Sequence, residues 1–219
     1  MTTYLQTLEI RWFGDRPLGE AETAWFESLA GESHRRGEER TDRYVELPGV
    51  TDLGLKFRGD QGFDVKARLD VVGVAELRRE GEKFAAGVVE SWAKWSYPGG
   101  EFPALASTFG RLDTIEVGKR RRQYLYDLAP DRSAEPLDLS DASYPRVERA
   151  MALELADVEC QGRTVWTLGV EAIPGGPDLG SDMLAALAAP LRSCPLELPA
   201  AISSGSPAWL AGSGPTRSA

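Results

Sequence analysis

Histidine, cysteine and long apolar runs are the scarcest features of this chain. Its 219 residues contain one histidine and two cysteines. The lone His34 lies in the polar run Gly31–Arg40. No partner for Ser–His–Asp chemistry or for a histidine-rich metal site accompanies it, so it reads as a solvated loop residue. Cys160 and Cys194 have neither zinc-ligand spacing nor the pattern of a disulfide framework. They read as free thiols of a reducing cytoplasm. No apolar stretch approaches the length of a membrane span. The N-terminus MTTYLQTLEIRWFG has neither the basic start nor the apolar core of a signal peptide, and Glu9 fits an organelle transit peptide poorly. These absences predict a cytoplasmic protein with no membrane partner. Phosphate-loop and dinucleotide fingerprints are also missing. The formal net charge is −9, which argues against a surface built for long nucleic acid.

Hydrophobic residues make up 42% of the chain and charged ones 27%, as in ordinary soluble domains. No break in composition divides it, so one domain is expected over residues 1–210, followed by a small, polar, disordered tail at 211–219. Leu8, Ile10 and Trp12 alternate with Thr7, Glu9 and Arg11, which predicts a strand over Tyr4–Phe13. Ala21, Trp25 and Leu29 fall four apart and predict a helix over Leu18–Leu29, with Ala30–Thr41 a loop. Further strands are predicted at Asp42–Leu47, Gly54–Arg58, Gly62–Leu69, Gly87–Ser96, Thr114–Asp127, Val147–Cys160 and Arg163–Ala172. Turn signals stand at Gly59–Gly62, Pro98–Gly100, Gln161-Gly162 and Gly175-Gly176. Val72–Lys83 is ambiguous, Glu101–Phe109 suits a short helix or turn, and Leu128–Tyr144 reads as an irregular connection. A last helix is expected over Asp182–Leu191. About eight strands with few helices predict a mainly β (α+β) fold, an antiparallel barrel or sandwich. Trp12, Trp92, Trp95 and Trp166 fall on strands as core or covering residues.

The strand charges share a spacing. Lys56 and Arg58 are two apart, as are Lys66 and Arg68, and Lys119 and Arg121; Arg120 and Arg122 repeat the pattern on the opposite face. Residues i and i+2 point to one side of a strand, so each pair sets two cations side by side. Lys94, near Trp92, adds another on a later strand. Glu9 and Arg11 share a face of the first strand; Glu154 and Glu171 sit on the last hairpin. Any one pair suits the wet side of a half-buried sheet. Three strands all choosing Lys and Arg is less expected, because rows of like charge repel across neighbouring strands. A closed barrel with cations inside and apolar residues outside, beneath helices, relieves that repulsion by binding a polyphosphate. Periodicity does not say which face is the inside.

The order of these motifs resembles the CYTH superfamily, the triphosphate tunnel metalloenzymes. Asp42-Arg43-Tyr44, Leu55-Lys56-Phe57-Arg58 and Asp64-Val65-Lys66-Ala67-Arg68 look like its early strands. Val117 to Tyr124 is similar to its basic strand followed by an aromatic. Glu154 to Glu159, with Gly162 and Val170-Glu171, resembles its acidic hairpin, and Ser206-Pro207-Ala208-Trp209-Leu210 its C-terminal ending. The resemblance implies an eight-stranded antiparallel closed barrel, a tunnel lined by charge, with a few flanking helices. Where that family carries Glu-x-Glu-x-Lys, this chain has Thr7, Glu9 and Arg11. By resemblance, Lys56, Arg58, Lys66, Arg68, Lys94, Lys119 and Arg121 would hold a small anionic, phosphorylated ligand. Glu9, Glu154 and Glu171 would hold Mg²⁺ or Mn²⁺, hard cations that take oxygen ligands. Glu9, Arg11 and Lys66 would stand nearest the chemistry, hydrolysis of a triphosphate. The alternative is a non-catalytic module that binds a nucleotide, a polyphosphate or another small organic anion in the same tunnel.

Overall fold

Alternation over the first strand becomes a two-sided wall in the folded chain. A computed structural model describes residues 3–58, 62–98, 107–108, 111–128, 134–139, 148–174 and 177–213. In β1 (Thr3–Phe13), Leu8, Ile10 and Trp12 join a large apolar cluster, whereas Arg11 lines a charged cavity on the other side. The remaining strands are β2 (Arg35–Val45), β3 (Leu53–Phe57), β4 (Gly62–Arg79), β5 (Glu82–Pro98), β6 (Thr114–Leu128), β7 (Ala134–Pro136), β8 (Ala150–Cys160) and β9 (Arg163–Ile173). Eight of them run in the order β2-β3-β4-β5-β1-β9-β8-β6, and β6 pairs back to β2 along Arg35–Val45. All these pairings are antiparallel. The result is a closed eight-stranded barrel with no open edge around the ring; the strand pattern allows a barrel or a sandwich, and the motif resemblance implies the closed form. The short β7 adds to the end of β6.

The polarity of this barrel is inverted: its charge faces inward and its main apolar layer faces outward. Helix α1 (Glu20–Glu27) and helix α2 (Pro177–Leu191) supply Trp25, Phe26, Leu179, Met183, Leu187 and Leu191 to the outer cluster. These side chains cover Leu8, Ile10, Trp12, Tyr124, Leu153, Leu155, Leu168 and Val170, all buried. Shielding from water is what lets that face carry large aliphatic and aromatic groups. Glu22 caps α1 by accepting from the Gly19 amide at 2.8 Å and from Arg16 at 2.6 Å. Helix α3 (Ser206–Ser213) closes one end of the barrel, where Trp209 stacks on Phe13 with ring centroids 4.8 Å apart. Tyr44, Val117, Ala156, Val158 and Val165 make that end of the interior apolar.

Beyond the ring, β4 and β5 continue as a long arm. Register shifts between Arg68 and Asp70, between Val71 and Gly73, and between Leu77 and Arg78 coil it. Its inner side packs over β1, where the Trp12 indole donates to the Ala86 carbonyl at 2.7 Å. A Cβ on Gly87 would collide with Ile10 and would stand 2.6 Å from Trp12, so only glycine permits this approach.

Several expectations shift. The run Ala30–Thr41 is not a loop: a 3-10 turn at Glu32–His34 leads straight into β2 at Arg35. Arg35–Asp42 has no apolar alternation because one face meets the charged interior and the other meets water or the acidic side chain of Glu27. The ambiguous segment Val72–Lys83 is strand on both sides of a turn at Glu80-Gly81. Within the connection Leu128–Tyr144, residues Ala134–Pro136 form β7. The helix expected from Asp182 begins at Pro177 as α2, and a further helix, α3, follows it. Residues Ala211–Ser213 belong to α3, and 214–219 lie outside the described residues. So do 59–61, 99–106, 109–110 and 175–176, which hold the other predicted turns and most of Glu101–Phe109. His34 ends its 3-10 turn half-buried beside Ser33, and both cysteines are free. Among the described residues no helix is long and apolar enough to cross a membrane.

Candidate anion-binding tunnel

All eight strands of the ring deliver charge to one interior cavity of about 130 Å³. The hairpin β3–β4 contributes Lys56, Arg58, Asp64 and Lys66, and β5 contributes Lys94. Across the barrel stand Lys119 and Arg121 of β6, Arg40 and Tyr44 of β2, Arg11 of β1, Glu154 of β8 and Glu171 of β9. The i, i+2 pairs Lys56/Arg58 and Lys119/Arg121 thus point inward together. Arg120 and Arg122 point outward, to Asp157 at 2.8 Å and to Glu27 at 3.4 Å.

Two expected residues are off the cavity wall. Arg68 turns to Glu90, 2.7 Å away, beneath the bulge that follows it. Glu9 is buried behind Lys66, which donates to it, and accepts from Thr7 Oγ1 at 3.1 Å. Trp92, wholly buried, lies under both cations, 5.0 Å from Lys66 Nζ and 5.9 Å from Arg68 Cζ. Arg40, Tyr44 and Asp64 were not assigned to the site from sequence. Arg40 and Tyr44 follow the same i+2 parity as Asp42, but Arg40 falls in the polar run whose composition predicts a loop.

Most interior acids are already engaged. Asp42 accepts from Lys56 and from Arg40 at 3.2 Å each, through one oxygen. Its other oxygen, Oδ1, is buried with no hydrogen-bond partner among the described residues. Asp64 holds Arg58 at 2.7 Å and stands 3.6 Å from Lys94. Glu38 takes Arg40 at 2.8 Å, and Arg121 as well. Glu154 is held through both oxygens, by Arg11 at 2.8 Å and by Arg121 at 3.1 Å. The Arg11 reach depends on Gly169, the residue paired with both Arg11 and Glu154. A Cβ there would stand 2.5 Å from the Arg11 guanidinium carbon, so the missing side chain is the groove in which that guanidinium lies.

The electrostatics follow from this crowding. Burial would raise the Glu154 carboxyl, but Arg11, Lys119 and Arg121 outweigh it and hold it far below the usual carboxylate range. Glu9 behaves likewise: burial opposes ionisation, and Lys66 and Arg11 overcome it. Glu171, cross-strand neighbour of Glu9, goes the other way, raised by burial and by the Glu9 charge. Lys56 is lowered by burial and by Lys119 and Arg58; Lys94 is lowered by burial and by Arg58 and Lys56. Burial would raise the Tyr44 phenol, yet Lys119 and Lys56 bring it down to about 8. The Lys119 ammonium makes no hydrogen bond or ion pair with any described residue.

The proposed metal ligands can be tested against this arrangement. Among the described residues no group of three His, Cys, Asp or Glu side chains is placed to hold a metal ion. Glu9 and Glu171 are adjacent, but Glu154 is occupied by the Arg11 guanidinium, which donates to it at 2.8 Å. As arranged, the three glutamates do not fit a shared divalent cation. The chain matches no family model, and no curated protein sequence matches it significantly.

Proposed function

We propose that the protein binds the phosphate chain of a small condensed phosphate or phosphate ester inside its barrel. The observation that carries this reading is the charge imbalance of the cavity wall. Eight Lys and Arg side chains line it against three Asp and Glu. Counting also Glu9, Glu38 and Asp42, which touch those cations, leaves six acids against eight bases. The Lys119 ammonium makes no hydrogen bond or ion pair with any described residue, and Lys56 and Lys94 are lowered by burial and by neighbouring cations whose repulsion a bound anion would relieve. Phosphate oxygens accept several charge-assisted hydrogen bonds at once, which suits cations converging from different strands. A cavity of about 130 Å³ admits a short chain and excludes a duplex.

The motif resemblance to the triphosphate tunnel family supports a narrower reading, hydrolysis of a bound triphosphate with Mg²⁺ or Mn²⁺. The occupation of Glu154 by Arg11 and Arg121 favours binding over turnover. Calorimetric titration with tripolyphosphate, with and without Mg²⁺, tests both, alongside phosphate-release measurements. Binding that weakens with salt, and at least fivefold in Lys119→Ala, is the expected result. No binding at low ionic strength, or wild-type affinity in Lys119→Ala, refutes the proposal. Metal-dependent phosphate release that disappears in Glu9→Gln would establish turnover.

A further inference from the structure

A second and larger cavity, about 420 Å³, adjoins the tunnel at the end covered by α3. Its walls are of the opposite kind. Leu47, Leu53, Ile115 and Leu210 face it, each only half-buried, and Glu46 is the single charged residue on the wall among those described. Aliphatic side chains left half-wet around one concavity are a cost unless something apolar covers them. The two cavities are neighbours in the strict sense: Tyr44, Gly54 and Pro207 line both.

The shared wall is thin, and glycine makes it so. Gly54 pairs with Lys66 on the inward side of β3, where any other residue would place a side chain between the cavities. Its backbone does not require glycine, since it is not among the residues with positive φ. A Cβ at Gly54 would stand 3.1 Å from Pro207 Cγ of α3 and would crowd the junction. The glycine is therefore explained by space rather than by conformation.

We infer that the ligand is an amphiphilic organic phosphate, its phosphate chain among the tunnel lysines and its apolar body seated between α3 and the β2–β3 rim. This rests on the tunnel binding phosphate at all and adds the chemical class of the ester. The apolar pocket has no cation among the described residues of its wall, so a second anionic group on the body is disfavoured, whereas an aliphatic chain or ring system finds complementary walls. Tyr44, with its ring at the boundary and Lys56 Nζ 5.6 Å from the ring centroid, would mark where head and body join.

Calorimetry on the whole protein with two head-matched probes tests the inference: methyl diphosphate and a ten-carbon prenyl diphosphate. Wild type should bind the prenyl ester at least tenfold more tightly. Leu210→Asn should abolish that advantage while leaving methyl diphosphate affinity unchanged; Leu210→Ser serves if the asparagine variant does not fold. Equal affinity of wild type for the two probes overturns the inference and leaves the phosphate tunnel standing. A prenyl advantage that survives both Leu210 variants also overturns it, because the body then sits elsewhere. Failure of both probes and of tripolyphosphate to bind removes the tunnel reading and this inference together.

Discussion

Replacing Arg11 with methionine isolates the strongest electrostatic claim made for the interior. Arg11 and Glu154 are 14% and 11% exposed, and Arg11 donates to Glu154 at 2.8 Å and to Thr167 at 3.3 Å. Arg11→Met leaves Glu154 buried with Arg121 alone at 3.1 Å. Breaking one side of a buried pair costs roughly 3–5 kcal/mol, and the surviving Arg121 contact places this case near the lower end, about 3 kcal/mol. For a chain of this length that corresponds to a fall in Tm of ~6–12 °C. The penalty has a pH signature. In the wild type the Glu154 carboxyl lies well below its ordinary value of 4.5, so the stability it contributes is complete above that value and is lost as pH falls through the folded one. Without Arg11 the folded value moves upward, and Glu154 can be neutralised by protonation at mildly acidic pH. Urea denaturation should therefore show the full penalty at neutral pH and a smaller one near 4.5. The double variant Arg11→Met/Glu154→Gln should recover most of the loss, since removing both partners leaves no bare charge. A neutral-pH penalty below about 1 kcal/mol, or one that does not change with pH, refutes the reasoning.

Three further outcomes follow from the same geometry. Glu171→Gln should stabilise the protein at neutral pH, because a buried carboxyl with a raised value loses stability as pH rises through it; the gain should vanish in acid, and urea midpoints at two pH values check this. A phenolate absorbance transition near pH 8 should be present in wild type, absent in Tyr44→Phe, and moved to higher pH by tripolyphosphate, which would screen Lys119 and Lys56. Its failure to move with saturating ligand would separate Tyr44 from the binding site. Gly87→Ala should cost about 1–3 kcal/mol by forcing Ile10 and Trp12 apart from the β5 arm, measurable by thermal denaturation; an unchanged Tm would mean that the arm yields freely.

Legibility in the sequence tracked whether a strand had one dry face. Leu8, Ile10 and Trp12 lie under helices, so β1 announced itself by alternation, and the Leu153/Leu155 and Leu168/Val170 faces did the same for β8 and β9. β2 has no such face over Arg35–Asp42, and its strand character comes from the ladder to β6, which no local pattern encodes. The arm of β4 was obscured because Leu69, Val71, Val72 and Val74 are exposed apolar residues on either side of bulges. At the site, i+2 spacing identified Lys56, Arg58, Lys66, Lys119 and Arg121, and the cavity contains all five. The same rule misplaced Arg68, because the bulge next to it aims the side chain at Glu90. Which side was the inside could not be read, since parity is symmetric and only barrel closure breaks the tie. Neither Glu9 behind Lys66 nor the Arg11–Glu154 contact over Gly169 was visible, because both depend on register between strands far apart in the chain.

The place of β1 in the ring has a consequence for how the molecule is made. β1 is the first strand of the barrel in chain order, yet it lies between β5 and β9, and β9 is the last. During synthesis β1 can dock on β5, but its other edge stays open until Arg163–Ile173 has been translated. Closure between β2 and β6 likewise joins residues far apart in sequence. Such long-range pairings make folding slow. A nascent chain that stalls before β9 would present an unpaired β1 edge and, with α2 also missing, the uncovered side chains of Leu8, Ile10 and Trp12.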